Sequence, residues 1–262
     1  MDTAETASYK HILFDRSTAV AHMTLNDAPY NLLTIPLMRE MAEAIESLNG
    51  VGEIRCILLD SAAQGVFSYG ISREDSRPEN VFQTLDAFTR VFNALNEISK
   101  PLLVVMNGQA IGAGSELAAL GDLILATPAT RFAQPEVQVG IFPPFASVML
   151  PAIIGPKKAY EMILTGQPLT AEEACELGLI NRVVNEEHME STVQSILSRI
   201  VEFSGPVLEM SKTAIQRSMG MPLREALKQA HDLYLNQLMD LKDAQEGVQA
   251  LLENRRPVWK NK

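Results

Sequence analysis

Two segments of this chain combine small, turn-forming residues with groups that can handle charge. Phe67-Ser68-Tyr69-Gly70-Ile71 follows one short apolar run, and Ile111-Gly112-Ala113-Gly114-Ser115-Glu116 follows another and leads directly into helix-forming residues. A glycine-rich turn entering a helix leaves backbone N–H groups without intrahelical partners, with the positive end of the helix dipole behind them. Such groups suit an anion, or an oxygen that becomes anionic during a reaction. Glycines in a single turn serve equally well to redirect the chain. The second loop contains neither GxGxxG nor GxxxxGK[ST], which argues against dinucleotide and P-loop sites.

Glu116 falls in the first turn of the helix after the second loop, where the dipole favours a carboxylate. Glu136 ends the stretch Phe132-Ala133-Gln134-Pro135-Glu136, just before an apolar loop containing glycine and proline. Two carboxyls beside one pocket can divide acid and base roles if their surroundings push the pKa values apart. Spacing alone assigns both to the surface, as for most glutamates of an acidic chain. His22 falls in a strand and His231 on an apolar helical stripe, neither with a cysteine or carboxylate at nucleophile spacing, so core or surface roles are expected. His11 and His188 have no chemical context. Cys56 and Cys175 form no CxxC pair and have no nearby histidine at metal-ligand spacing, so two reduced thiols are expected and no metal site.

The elements that must hold these loops are legible as periodicities. Ala19 to Leu25 alternates apolar and polar, as a strand with two distinct faces does. After a turn-rich Asn26 to Asn31, apolar residues from Ile35 to Leu48 recur at helical spacing, and Asn49-Gly50 ends that segment. Arg55 to Asp60, Leu102 to Met106 and Leu123 to Ala126 read as buried strands. Val81, Leu85, Phe88, Phe92, Leu95 and Ile98 step along one long helix that Lys100-Pro101 breaks. The strand-helix-strand order through about residue 200 places the chain in the α/β class. Beyond Ser204-Gly205-Pro206, read as a hinge, only helix formers follow: Leu208 to Arg217, Leu223 to Leu241 and Ala244 to Asn254. The stripe of Leu227, Ala230, Tyr234 and Leu238 in that appendage needs a partner surface, for which another subunit is a candidate.

The 262 residues suffice for a sizeable core, and 47% hydrophobic with 21% charged residues is an ordinary globular composition. A formal net charge of -10 argues against nucleic acid but leaves room for a phosphate-bearing small molecule held by a few basic side chains. Met1 to Lys10 has no apolar signal core, and no apolar run reaches membrane-spanning length, so the expected compartment is the cytoplasm.

In order and spacing, Phe67-Ser68-Tyr69-Gly70, then Asn107 through Ala118, then Phe132 to Glu136 resemble the signature of the crotonase (enoyl-CoA hydratase/isomerase) family. Leu164-Thr165-Gly166 through Val184 resembles the family's downstream segment, and Glu246-Gly247 through Trp259 its C-terminal helix. The resemblance implies an α/β crotonase-type spiral of repeated strand-strand-helix units over residues 1–203 with the acyl-CoA site. It implies a C-terminal helical oligomerisation region over 204–262, supporting homotrimers that often pair as hexamers. It further implies that the backbone N–H groups of Ile71 and Ala113 form an oxyanion hole for a thioester carbonyl. Glu116 would deprotonate water, and Glu136 would protonate the enolate carbon. Acidic residues at both positions favour a hydratase, a hydro-lyase, over an isomerase. No metal or redox cofactor is implied, because coenzyme A enters as part of the substrate.

Several residues depart from the family pattern. Tyr69, beside Gly70 in the oxyanion loop, stands where a small residue is usual; it narrows the acyl site, offers its hydroxyl to substrate, or simply packs. Ala113 replaces a common glycine while keeping the N–H, after Gly112. Glu74 occupies a position often held by a phosphate-binding lysine, leaving Arg73, Arg77 and Lys212 as substitutes. Gly140-Ile141-Phe142-Pro143-Pro144-Phe145 lacks the family's glycine-rich run and resembles the loop of the cyclohexa-1,5-diene-1-carbonyl-CoA hydratases of anaerobic aromatic degradation. Phe142, Pro143 and Phe145 would then form a stiff wall for a ring-shaped acyl group. A straight-chain hydratase, a cyclic-ketone acyl-CoA hydrolase or an isomerase on the same fold are the alternatives, with a non-catalytic acyl-CoA binder as the rival from another class.

Overall fold

A computed structural model describes residues 9–262; the reading of Met1 to Lys10 lies outside the described residues except for its last two positions. The chain runs β1 (Ile12–Asp15), β2 (Val20–Leu25), α1 (Ile35–Glu46), β3 (Cys56–Ser61), β4 (Val66–Ser68), α2 (Val81–Glu97), β5 (Leu102–Met106), β6 (Gln109–Ile111), α3 (Ala113–Ala118), β7 (Leu123–Ala126) and β8 (Arg131–Ala133). A 3-10 turn (Glu136–Val139), α4 (Ala146–Ile153), α5 (Pro156–Thr165), β9 (Leu169–Thr170), α6 (Ala171–Glu176), β10 (Arg182–Val183) and α7 (Glu186–Val201) follow. The C-terminal part is α8 (Gly205–Ser218), α9 (Leu223–Asn236), a 3-10 turn (Leu238–Asp240) and α10 (Lys242–Leu252).

The long apolar strands, with the two-residue β10 at one edge, form a six-stranded sheet in the order β1-β2-β3-β5-β7-β10, parallel except for the β1–β2 pair. Ala21, Met23 and Leu25 of β2 are buried and alternate with partly exposed residues, so the period-two pattern marks the core face. Helix α1 begins at Thr34, whose side chain accepts from the N–H of Leu37, and buries Leu37, Met38, Met41, Ala42 and Ile45. Helix α2 packs beside it through Thr84, Ala87, Phe88, Val91 and Leu95, while Val81 and Leu85 at its start stay exposed. The opposite face of the sheet, with Cys56, Leu58, Leu103 and Leu125, is covered by Met189, Val193 and Leu197 of α7.

A second sheet, in the order β4-β6-β8-β9, is built from strands of two or three residues. Each long parallel strand β3, β5 and β7 is followed at once by a short one, β4, β6 and β8, and then by a helix. These are the strand-strand-helix units that the sequence resemblance implies. Strand β4 lies parallel to β6, and β6 to β8, with Ser68 opposite Ala110 and Ile111 opposite Ala133. Their carboxyl ends therefore deliver three loops side by side, where ligands of parallel sheets bind.

The C-terminal helices are tied to this core by buried charge. Lys212 Nζ of α8 contacts Asp122 Oδ2 at 2.7 Å and donates to the carbonyl of Lys100 at 3.0 Å. Lys100 Nζ in turn reaches Glu209 Oε1 at 2.8 Å and the carbonyls of Val51 and Ile54, both at 2.9 Å. Ser204-Gly205-Pro206 passes straight into α8, and the Gly205 N–H donates to Asn261 Oδ1 at 3.2 Å. No helix among the described residues is long and apolar enough to cross a membrane.

Candidate active site

The three loops meet backbone to backbone. Gly70 has φ +78°, and a Cβ there would stand 2.7 Å from the Ile111 carbonyl oxygen and 3.2 Å from the Ala113 nitrogen. A Cβ on Gly114 would run into the Ser68 carbonyl. Glycine at both places is what lets the peptide joining Gly70 to Ile71 lie alongside the peptide joining Gly112 to Ala113.

Both peptides are held from their carbonyl side. The Gly70 carbonyl accepts from the Leu33 N–H at 2.8 Å, and the Gly112 carbonyl accepts from Ser115 N at 2.8 Å and Glu116 N at 3.0 Å. The Gly112 N–H donates to the Ala133 carbonyl at 2.8 Å. On the opposite edge of the two peptides are the N–H groups of Ile71 and Ala113, which find no acceptor among the described residues. A carbonyl already accepting a hydrogen bond polarises its own peptide and strengthens the N–H it carries. Two such donors, fixed before any ligand arrives, can hold a developing oxyanion.

Glu116 and Glu136 flank these donors, and neither is the surface glutamate that spacing alone suggests. Glu116 in α3 is 4% exposed, and its Oε1 accepts from the backbone N–H of Ala146 at 2.7 Å. Burial drives its pKa up to about 7 against the opposing pull of that hydrogen bond, and the charge of Glu136 adds to the rise. Glu136 opens the first 3-10 turn, is half-buried, and has one carboxylate oxygen enclosed without a partner. Its pKa is also raised by burial. Its other oxygen lies over Gly112, in the space a side chain at that position would fill. Two carboxyls of raised proton affinity beside two preorganised N–H donors can move a proton each way at one bound carbonyl compound.

The remaining sequence-derived residues divide. Tyr69 is 42% exposed, its ring edge-on to Tyr30 at 5.4 Å, and its N–H donates to the Tyr30 carbonyl at 3.0 Å. Pro143 is buried and Phe142 is 68% exposed, while Phe145 sets its ring against Phe88 at 4.7 Å and Phe92 at 5.2 Å of α2. Arg73 is exposed and makes no ion pair among the described residues, whereas Arg77 pairs with Glu74 at 2.9 Å. Lys212 is not available to a phosphate: it is buried, with its ammonium spent on Asp122 and the Lys100 carbonyl. His22 does have a carboxylate, Asp60 at 2.8 Å, brought beside it by strand pairing and not by sequence spacing. Cys56 is buried with its thiol pushed up to about 12 by burial, and Cys175 is free.

Sequence reading missed the Ala146 N–H, because a backbone donor has no residue type to announce it. It also passed over Asn31, which is fully buried behind the first loop.

The sequence model of the enoyl-CoA hydratase/isomerase family matches residues 15–262. The chain belongs to that family. Among relatives of this enoyl-CoA hydratase/isomerase chain is cyclohexa-1,5-dienecarbonyl-CoA hydratase of Thauera aromatica, 28% identical over 259 residues and covering 99% of this chain and 100% of the relative. Enoyl-CoA hydratase domain-containing protein 3, mitochondrial, of Danio rerio is 32% identical, covering 90% of this chain and 82% of its own. A crystal structure of enoyl-CoA hydratase from Mycobacterium smegmatis superposes with a TM-score of 0.88 at 30% identity, over 95% of this chain and 99% of that one. The fold of the family member described here is thus the crotonase-type fold of the solved enoyl-CoA hydratases.

Proposed function

We propose that this enzyme is a hydro-lyase that adds water across a conjugated acyl-CoA thioester, with cyclohexa-1,5-diene-1-carbonyl-CoA as its substrate. The observation that carries the reading is the placement of a buried carboxyl, Glu116, and a half-buried one, Glu136, against the free N–H groups of Ile71 and Ala113. The thioester oxygen accepts from both N–H groups, which draws electron density from the conjugated carbon distant from the carbonyl. Glu116 removes a proton from water as its oxygen bonds to that carbon. The electron pair moves onto the thioester oxygen as an enolate, and Glu136 returns a proton to the carbon next to the carbonyl. The sum is one water added and one carbon-carbon double bond lost; Glu116 is left protonated and Glu136 ionised, proton exchange with solvent returns the pair to its starting state, and dehydration runs the same two transfers in reverse. No metal or redox group is needed in this scheme, and coenzyme A arrives as part of the substrate.

The cyclic substrate is supported by the Phe142-Pro143-Pro144-Phe145 segment and by the likeness to the Thauera protein. Tyr69, Gly70, Gly112, Phe142, Pro143 and Phe145 surround the acyl group, with Arg73 toward the coenzyme A phosphates. Leu227, Tyr234 and Leu235 of α9 are exposed, which supports assembly as a homotrimer or a pair of trimers. Turnover of cyclohexa-1,5-diene-1-carbonyl-CoA beside crotonyl-CoA, with free thiol followed in parallel, tests the reading. Preference for the cyclic diene without thiol release supports it. Preference for crotonyl-CoA returns the protein to the straight-chain hydratases, and thiol release makes it a hydrolase.

A further inference from the structure

Asn31 is 0% exposed, holds φ +46° and uses its side-chain amide to tie its own turn and the end of β3 to the first loop. Its Oδ1 accepts from the Asp27 N–H at 2.8 Å, and its Nδ2 donates to Ser61 Oγ at 2.7 Å and to the Phe67 carbonyl at 3.1 Å. Its own carbonyl accepts from Ser68 Oγ at 2.8 Å, and that same oxygen accepts from the Gly70 N–H at 3.1 Å. On either side of Asn31, the Tyr30 carbonyl accepts from Tyr69 N at 3.0 Å and the Leu33 N–H donates to the Gly70 carbonyl at 2.8 Å. Residues 30 to 33 thus run beside residues 67 to 70 and fix four successive residues of the first loop, ending at the Gly70 carbonyl, which belongs to the peptide that presents the Ile71 N–H. Asparagine is among the few residue types that tolerate the left-handed region while supplying both a donor and an acceptor.

We propose that Asn31, holding the Phe67 carbonyl with its side-chain amide and Ser68 Oγ with its backbone carbonyl, is a positioning residue that aims the Ile71 N–H at the thioester oxygen. This rests on the reading that the Ile71 and Ala113 N–H groups receive that oxygen. Asn31 touches neither substrate nor reacting atoms; it fixes the direction of a donor that does. Because the donor is needed more in the enolate than in the ground state, its misdirection lowers kcat more than it raises KM.

The test compares wild type with Asn31→Gly, which keeps the backbone freedom but removes the side chain, and Ser68→Ala, which cuts the relay. Each is measured for kcat and KM, for thermal midpoint, and for the absorbance red-shift and thioester C=O stretch of bound cinnamoyl-CoA, a conjugated probe of carbonyl polarisation. Both variants are expected to lose roughly tenfold to a hundredfold in kcat, in line with a small misplacement of a catalytic group, with KM within a few-fold and the red-shift diminished. A residue that only stabilises the fold would lower the thermal midpoint and leave the red-shift of the bound probe intact. If Asn31→Gly does not fold, Ser68→Ala decides. Folded variants with wild-type kcat and the full red-shift overturn the proposal. A wild-type protein that binds the probe without any red-shift overturns instead the reading on which it rests.

Discussion

Glu116 Oε1 accepts a 2.7 Å hydrogen bond from the N–H of Ala146, the first residue of α4. The residue before it, Phe145, is held by the rings of Phe88 and Phe92 on α2, so the donor that steadies the buried carboxyl is itself anchored in the main core. A hydrogen bond to the ionised form opposes the rise that burial imposes.

That anchor predicts a pH effect from residues that carry no charge. With Glu116 as the base, kcat/KM falls as pH drops through about 7, where its carboxylate takes up a proton. Phe145→Leu or Phe88→Leu loosens the Ala146 N–H, raises the proton affinity of Glu116 and moves the acid limb upward. Profiles measured for cyclic and linear substrates shift alike if Phe145 acts through Ala146. A limb that stays in place in both variants contradicts this role.

Glu116 also sets a pH-dependent stability. Its folded pKa of about 7 lies above the ordinary glutamate value of 4.5, so the folded state binds a proton more tightly than the unfolded one. Stability therefore falls as pH rises between those values, and the full deficit is present above 7. Glu116→Gln keeps an oxygen for the Ala146 N–H and removes the charge. It is expected to be more stable than wild type by up to about 3 kcal/mol at pH 8.5, and the gain should vanish near pH 4.5. Denaturant melts at the two pH values check both the sign and the window.

Gly112 leaves no room for any side chain, because a Cβ would displace the Glu136 carboxylate. Gly112→Ala is expected to lose roughly a hundredfold or more in kcat, as for a disturbed donor or acid group. Gly178 shares a positive φ, +78°, but has open space around its Cα. Gly178→Ala therefore serves as the control, losing about 1 kcal/mol of stability while keeping its turnover. Equal kinetic damage in both would trace the effect to backbone strain.

Lys212 and Arg73 are expected to differ in kind. Removing the buried Lys212 ammonium leaves the partly exposed Asp122 with the Leu102 N–H alone and the Lys100 carbonyl without its donor, a loss of about 1–3 kcal/mol. Lys212→Met should lower the denaturation midpoint and leave KM for acyl-CoA unchanged, whereas Arg73→Ala should raise KM with stability intact. A raised KM in folded Lys212→Met would restore it as a phosphate ligand.

The long strands and their helices were legible because burial imposes a period: Leu102 to Met106 and Leu123 to Ala126 begin and end as read. Strands β4, β6 and β8 were not, since three residues are too few to show alternation, and these are the strands that bring the loops together. The C-terminal helix read as Leu223 to Leu241 stops at Asn236, where the chain tightens into a 3-10 turn. Glu116 and Glu136 were recognisable by motif, but their burial was not, because composition places glutamates in water. The His22–Asp60 pair shows the same limit: strand pairing joins residues 38 positions apart.

Hydration of a conjugated thioester by the two glutamates is the claim most directly open to measurement. Loss of conjugated absorbance from cyclohexa-1,5-diene-1-carbonyl-CoA is followed in wild type, Glu116→Gln and Glu136→Gln, with incorporation of oxygen from labelled water into the product. Rapid loss with label in wild type, and loss of activity by several orders of magnitude in both folded variants, is the predicted result. Undiminished turnover in either variant, or consumption of the substrate without label in the product, would contradict it.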